Sequence, residues 1–217
     1  MSMATKLKYK LYLFDLDGTL LDSDEMLRVT FHTLYKLYKP EYKIDDKHIL
    51  TFSGPQIRDT LLQEFPHQDQ QLMLSEWRKY SHDNYIKCAK LYPGADALLR
   101  KMSKKNVLFS IITNKHRYAT DYAFKLMGID DLNIFSVCAD EAGKLKPEPD
   151  GIYSAMKHFG VIDKKEVIYI GDSVYDYLTA KNAGVDFGFV GWSPRKLPED
   201  AKIDLLITDF DSWAKEF

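Results

Sequence analysis

The chain has little cysteine, no long apolar run and no surplus of either charge, and each shortage closes off a class of protein. Its 217 residues hold two cysteines, Cys88 and Cys138. They stand far apart without metal-ligand spacing, so neither a disulfide framework nor a zinc site is expected. Isolated thiols suit a reducing compartment, and the expected location is cytoplasmic. The apolar stretch Leu11-Tyr12-Leu13-Phe14 stops at Asp15, too short for a signal peptide, and no later stretch approaches membrane-spanning length. Lysine and arginine number 30 against 32 acidic residues, a net charge of −2. Such balance gives no general pull towards nucleic acid or an anionic membrane. The six histidines lack metal-type spacing, and there is no internal repeat or low-complexity segment.

What is present is an alternation of strand and helix signals from Tyr92 onwards. An apolar run over 107–113 predicts a strand, and helices over about 118–127, 149–159 and 175–183 each stop at a glycine, Gly128, Gly160 and Gly184. Further strands are expected over 134–138, 167–170, 187–190 and 205–207. This order predicts a parallel sheet with helices on both faces. Between about 20 and 88 no convincing strand is found. Asp22 with Glu25 has the form of a capping box ahead of Leu27, Phe31, Leu34 and Tyr38, which recur at helical spacing. A second helical piece contains Ile57, Leu61 and Leu62, and Met73, Trp77, Tyr80 and Tyr85 mark a longer one. The expectation is therefore an α/β protein with a doubly wound, mostly parallel sheet, built from residues 1–19 and 89–217. An all-helical segment, 20–88, interrupts it just after the first strand. An insertion there hangs over the carboxyl ends of the strands, where open α/β sheets bind ligands, and is placed to act as a lid.

The chemistry-bearing residues fall at strand ends. Asp15 and Asp17 share a face if the extended conformation continues past Phe14. Two anions held together repel, and a hard cation such as Mg²⁺ relieves them. An acidic turn accounts for the same residues. A calcium loop does not, because Leu20 stands where it needs Gly and Met26 where it needs Glu. Gly18 permits a sharp turn and close backbone approach. Later strand ends carry Thr113-Asn114-Lys115, then a loop with Lys144 and Lys146, then Gly171-Asp172-Ser173 with Asp176 beyond. Acid pair, hydroxyl, lysine and second acid pair together suit a phosphoryl group beside Mg²⁺.

In this order the motifs resemble the haloacid dehalogenase-like (HAD) superfamily. Asp15-Leu16-Asp17-Gly18-Thr19 looks like its first motif, Thr113 its second, Lys146 before Pro147 its third, and Gly171-Asp172-Ser173-Val174-Tyr175-Asp176 its fourth. The resemblance implies that Asp15 is a nucleophile forming an aspartyl-phosphate, and that Asp17 is the general acid and base. It implies Mg²⁺ held by Asp15, the backbone carbonyl of Asp17, Asp172 and Asp176. Thr113, the N–H of Asn114 and the backbone around Gly18 would hold the phosphoryl group, and Lys146 would offset its charge. Lys144 is an alternative to Lys146. The insertion is similar to the lid of the subgroup containing phosphoglycolate phosphatases, pyrophosphatases and β-phosphoglucomutases. There Arg58 is a candidate for a second anionic group, with His116 a weaker one.

The implied activity is Mg²⁺-dependent hydrolysis of a small phosphorylated metabolite (a phosphoglycolate-like ester, a sugar phosphate, a nucleotide or pyrophosphate), by a monomer or homodimer. Dehalogenases of the superfamily lack the second Asp, which is present here as Asp17. A phosphomutase is the nearest rival. A phosphonatase needs an insertion lysine such as Lys87 or Lys36, and a phosphoaspartate signalling module needs a single mid-domain acceptor. A serine hydrolase built on Ser173 needs a histidine near the C-terminus, and the last is His158. Gly191-Trp192-Ser193-Pro194 only loosely matches the family segment after the fifth strand.

Overall fold

A computed structural model describes residues 7–217. The chain opens with strand β1, Leu11–Phe14, all four residues buried. A two-residue strand follows, β2 at Leu21–Asp22, and then helices α1 (Asp24–Tyr38), α2 (Asp46–Leu50), α3 (Ile57–Glu64) and α4 (Gln70–Cys88). Strand β3 (Lys90–Leu91) pairs antiparallel with β2, Leu21 opposite Leu91. From there strand and helix alternate: α5 (Ala95–Lys104), β4 (Leu108–Ile112), α6 (Arg117–Met127), β5 (Ser136–Val137), α7 (Asp150–Phe159), β6 (Val167–Gly171), α8 (Val174–Ala183), β7 (Asp186–Val190), β8 (Leu205–Ile207) and α9 (Phe210–Trp213).

The main sheet has the order β5-β4-β1-β6-β7-β8 and every pairing is parallel. Alternate residues of each strand serve opposite faces. Tyr12, Phe14, Ile111 and Ile170 join one apolar cluster, which includes Leu98 and Leu99 of α5 and Trp213 of α9. Leu11, Leu13 and Tyr169 join the other, with Ile152 of α7 and Ala180 of α8. Strands buried on both faces explain why their sequences read as continuous apolar runs. The helices α1 to α4 enclose a third cluster of their own, centred on Phe31, Leu34, Phe65 and Met73. Each fully buried side chain of this kind is worth roughly 1.5–3 kcal/mol.

Three local expectations are corrected. The start of α1 is not an Asp22–Glu25 capping box. Asp22 lies in β2, and the N-cap is Ser23, whose side chain caps nothing because its hydroxyl donates to Asp17 Oδ1 at 2.8 Å. The stretch 20–88 is not free of strand, since β2 falls inside it. The strand expected over 134–138 shortens to Ser136–Val137, an edge strand with one neighbour. Among the described residues no helix is long and apolar enough to cross a membrane.

Candidate active site

Register brings the chemistry together. Phe14 lies level with Ile111 and with Ile170 on its two neighbours, so Asp15, Thr113 and Asp172 emerge side by side just past three adjacent strand ends. The chain reverses direction across the sheet here, the place where open α/β sheets form their crevice. The turn after β1 depends on Gly18. Its φ is +85°, and a Cβ there would lie 2.1 Å from Asp172 Oδ2. Only glycine tolerates both the conformation and the contact.

Asp15 is buried. One of its oxygens, Oδ1, accepts from Lys146 Nζ at 2.6 Å, and Oδ2 has no hydrogen-bond partner among the described residues. Lys146 is also buried and donates to Asp176 Oδ1 at 2.7 Å. Burial pushes the Asp15 carboxyl up to about 7, with Lys146 pulling it down and Asp176 and Asp17 adding to the rise. For Lys146, burial alone would lower the ammonium, but Asp15 and Asp176 outweigh it and hold the group above its ordinary range. Lys144 is exposed, and its backbone N–H donates to Asp150. The buried lysine of this loop is therefore Lys146.

Asp17 faces the same cavity with both oxygens engaged. Ser23 donates to Oδ1, and Lys115 Nζ lies 2.9 Å from Oδ2. Thr113 Oγ1 accepts from the backbone N–H of Lys115 at 3.1 Å, which shapes the turn after β4. The Asn114 side chain ties three segments: Nδ2 donates to the carbonyl of Gly54 at 2.8 Å and of Lys146 at 3.3 Å, while Oδ1 accepts from the Lys146 N–H.

Asp15, Asp172 and Asp176 bring carboxylate oxygens within 4.8 Å of one another. These are buried hard oxygen donors, of the type Mg²⁺ takes. Burial drives Asp172 well above the usual carboxylate range despite Arg195 beside it. Asp15 and Asp172 thus lack enough positive charge nearby, and the donor set fits a divalent cation. Asp176 sits differently. Its Oδ1 accepts from Lys146 and from Tyr169 Oη, and its Oδ2 from Ser173 Oγ and the backbone N–H groups of Asp172 and Ser173. Burial would raise this carboxyl, but Lys146 and those hydrogen bonds hold it below its ordinary value. Ser173 and Asp176 form the capping box of α8, which occupies the Ser173 hydroxyl that a serine hydrolase would need.

Several residues of the site were not singled out from the sequence. Arg195 is half-buried and donates to Asp172 Oδ2 at 2.6 Å, Asp24 Oδ1 at 2.5 Å and the carbonyl of Leu50 at 3.2 Å. The same loop sends Ser193 Oγ to the Asp172 carbonyl and Trp192 Nε1 to the Gly18 carbonyl. So the Gly191–Pro194 segment braces Asp172 and the turn at Gly18. Arg195 lies far along the chain from its partners and had no local signal. Tyr169 had one: a lone hydroxyl in a buried aliphatic strand needs a partner. Arg58 is exposed and, like Lys87 and Lys36, is absent from the cavity lining, whereas His116 lines the rim.

A cavity of about 900 Å³ opens above Asp15, between the strand ends and the helices α1 and α4. Comparison with known proteins bears on the family and the fold. The family model described as haloacid dehalogenase-like hydrolase matches residues 12–190. The pyrophosphatase PpaX of Halalkalibacterium halodurans is 31% identical over 183 residues, covering 84% of each chain. A haloacid dehalogenase-like family hydrolase from Streptococcus pneumoniae superposes with a TM-score of 0.80 at 21% identity, covering 96% of this chain and 98% of the other. A structure titled a predicted phosphoglycolate phosphatase, from Haemophilus somnus, gives 0.79 at 21% identity, covering 96% and 98%.

Proposed function

Because this chain belongs to the haloacid dehalogenase-like hydrolases, we propose that it is a Mg²⁺-dependent phosphatase of a small phosphorylated metabolite, acting through an aspartyl-phosphate on Asp15. One observation carries the reading. Asp15 is buried with one oxygen on Lys146 and the other without a partner among the described residues, and Asp17 faces the same cavity from two residues away.

The second oxygen of Asp15 attacks phosphorus while Lys146 fixes the carboxylate and offsets charge. The bond to the leaving oxygen breaks, and Asp17 protonates that oxygen. The leaving group departs, and Asp17 then takes a proton from water. The activated water attacks the phosphorus of the aspartyl-phosphate, releasing phosphate and restoring Asp15. Asp17 reaches this role by giving up Lys115, which turns to the entering phosphoryl oxygens. Thr113 Oγ1 and the backbone N–H of Asn114 steady those oxygens. Mg²⁺, held by Asp15, Asp172 and the backbone carbonyl of Asp17, would supply charge neutralisation at the phosphoryl group. Asp176 would bind it directly or through water, and also positions Lys146 and the Asp172 backbone. Residues 20–88 act as a lid over a core of 1–19 and 89–217.

The test is phosphate release from a panel of small phosphate esters and pyrophosphate, with Mg²⁺ and with a chelator, beside the Asp15→Asn protein. Mg²⁺-dependent release absent from the variant supports the reading. Release that persists in Asp15→Asn overturns it.

A further inference from the structure

The cavity is larger than a phosphoryl group needs. At about 900 Å³ it lies in the range of pockets that enclose ligands of drug size. The phosphoryl corner, at Asp15, Thr113 and Lys146, takes a small part of it. Much of the remaining wall is aromatic. Phe52, Trp77, His82 and Tyr85 come from the helical insertion, and Tyr118 and Tyr122 from α6.

These rings are not all spent on packing. Tyr118 is 61% exposed, and Trp77 and Tyr122 are half-buried. Trp77 is backed by Phe31, with ring centroids 5.0 Å apart. His82 and Tyr122 meet across the junction of insertion and core at 4.9 Å, with planes tilted 33°. Tyr85 adds a polar handle. It is buried, and its hydroxyl has no hydrogen-bond partner among the described residues. A buried hydroxyl left unpaired is costly, and Tyr in such a place ordinarily finds a partner. Here that hydroxyl belongs to a residue of the cavity wall.

The cations point the same way. Lys146 is paired with Asp15 and Asp176, and Lys115 with Asp17, which it leaves only for the reacting phosphoryl group. Arg78 and Lys79 stand at the cavity edge and are exposed. A second phosphate or a carboxylate would find no buried, unpaired cation inside the cavity among the described residues, and it would leave the aromatic wall uncovered. A flat ring covers that wall without needing charge.

We propose that the leaving group carries a flat heteroaromatic ring of nucleobase size, and that the substrate is a nucleoside monophosphate. The ring lies against Trp77 and Tyr122, and the Tyr85 hydroxyl donates to an oxygen or nitrogen acceptor of the leaving group. This deepens the phosphatase reading and rests on it. Selection among bases is expected to be weak, because stacking tolerates any ring.

Two measurements decide it. In the first, Asp15→Asn protein, which binds without turning over, is titrated with nucleoside monophosphates, ribose 5-phosphate, 2-phosphoglycolate and pyrophosphate in the presence of Mg²⁺. Tryptophan fluorescence and calorimetry are read. Nucleoside monophosphates are expected to bind about ten-fold tighter than ribose 5-phosphate, as stacking of one base predicts. In the second, kcat/KM is measured for wild type, Trp77→Ala and Tyr85→Phe on the same compounds. Both variants are expected to lower the ratio of nucleotide to ribose 5-phosphate turnover, Trp77→Ala by about ten-fold. Tyr85→Phe removes only a hydroxyl that bonds nothing among the described residues, so folding is not at issue. The proposal is overturned if 2-phosphoglycolate, pyrophosphate or ribose 5-phosphate binds and turns over as well as the nucleotides, or if the variants lower every substrate equally. If no ester is hydrolysed, the phosphatase reading fails, and the titration alone decides the ring preference.

Discussion

At Asp15 burial and charge pull in opposite directions, and the balance can be measured. Its carboxyl is pushed from an ordinary 3.8 to about 7, chiefly by burial. Between those values the folded state keeps a proton that the unfolded chain gives up. The Asp15 contribution to stability therefore falls as pH rises through that window. Asn in its place does not titrate. In chelator, the melting temperature of Asp15→Asn minus that of wild type is expected to grow from pH 4 to pH 8, reaching roughly 3 °C or more. Differential scanning calorimetry across that range checks it, and a difference that stays flat contradicts the burial argument. Asp17 gives a complementary expectation. Asp17→Asn should slow turnover by a factor on the order of 10²–10⁴, the usual worth of a positioned acid or base, and stopped-flow phosphate release reads this. Wild-type turnover would remove Asp17 from proton transfer. Asp15, Asp17, Lys146 and Asp172 were legible at this scale because each chemical group sits in a short motif at a strand end. Tyr85 and Arg195 were not, because a lone tyrosine or arginine acquires its meaning only from what folding places beside it.

The elements were legible where periodicity was strong. β8 and the glycine stops of α6, α7 and α8 fall where the pattern put them. Ambiguity lay where one residue served two ends. Ser23 caps α1 by position while its hydroxyl goes to Asp17, so the capping pattern misled. The loop after β7 was the weakest match to the family pattern, yet it braces Asp172 and the turn at Gly18. Arg195 joins Asp172 at the end of β6 to Asp24 of α1 and to the carbonyl of Leu50. Arg195→Ala strands two buried carboxylates, a loss of roughly 3–5 kcal/mol. It should also speed hydrogen exchange over residues 46–52, where the Leu50 contact is lost. Unchanged exchange there, in a folded variant, would show that Arg195 does not tie the insertion to the core.

The whole molecule is a sheet that brings residues from across the chain to one edge and a helical insertion that covers it. Its α/β class and the interruption after β1 could be read from the order of patterns. The junction could not, because the insertion meets the core through residues distant in sequence: Gly54 with Asn114, His82 with Tyr122, Asp24 with Arg195. The insertion has its own apolar cluster and joins the core at the β2–β3 pair, where the chain enters and leaves it. The most direct test of Asp15 as nucleophile is covalent. Wild-type and Asp17→Asn proteins would be incubated with a phosphate ester labelled in its phosphoryl group, quenched in acid, digested and mapped. Hydroxylamine-labile label is expected on the peptide carrying Asp15, more of it in Asp17→Asn, and none in Asp15→Asn. Phosphate release with no label on Asp15, or label on another residue, would contradict that role.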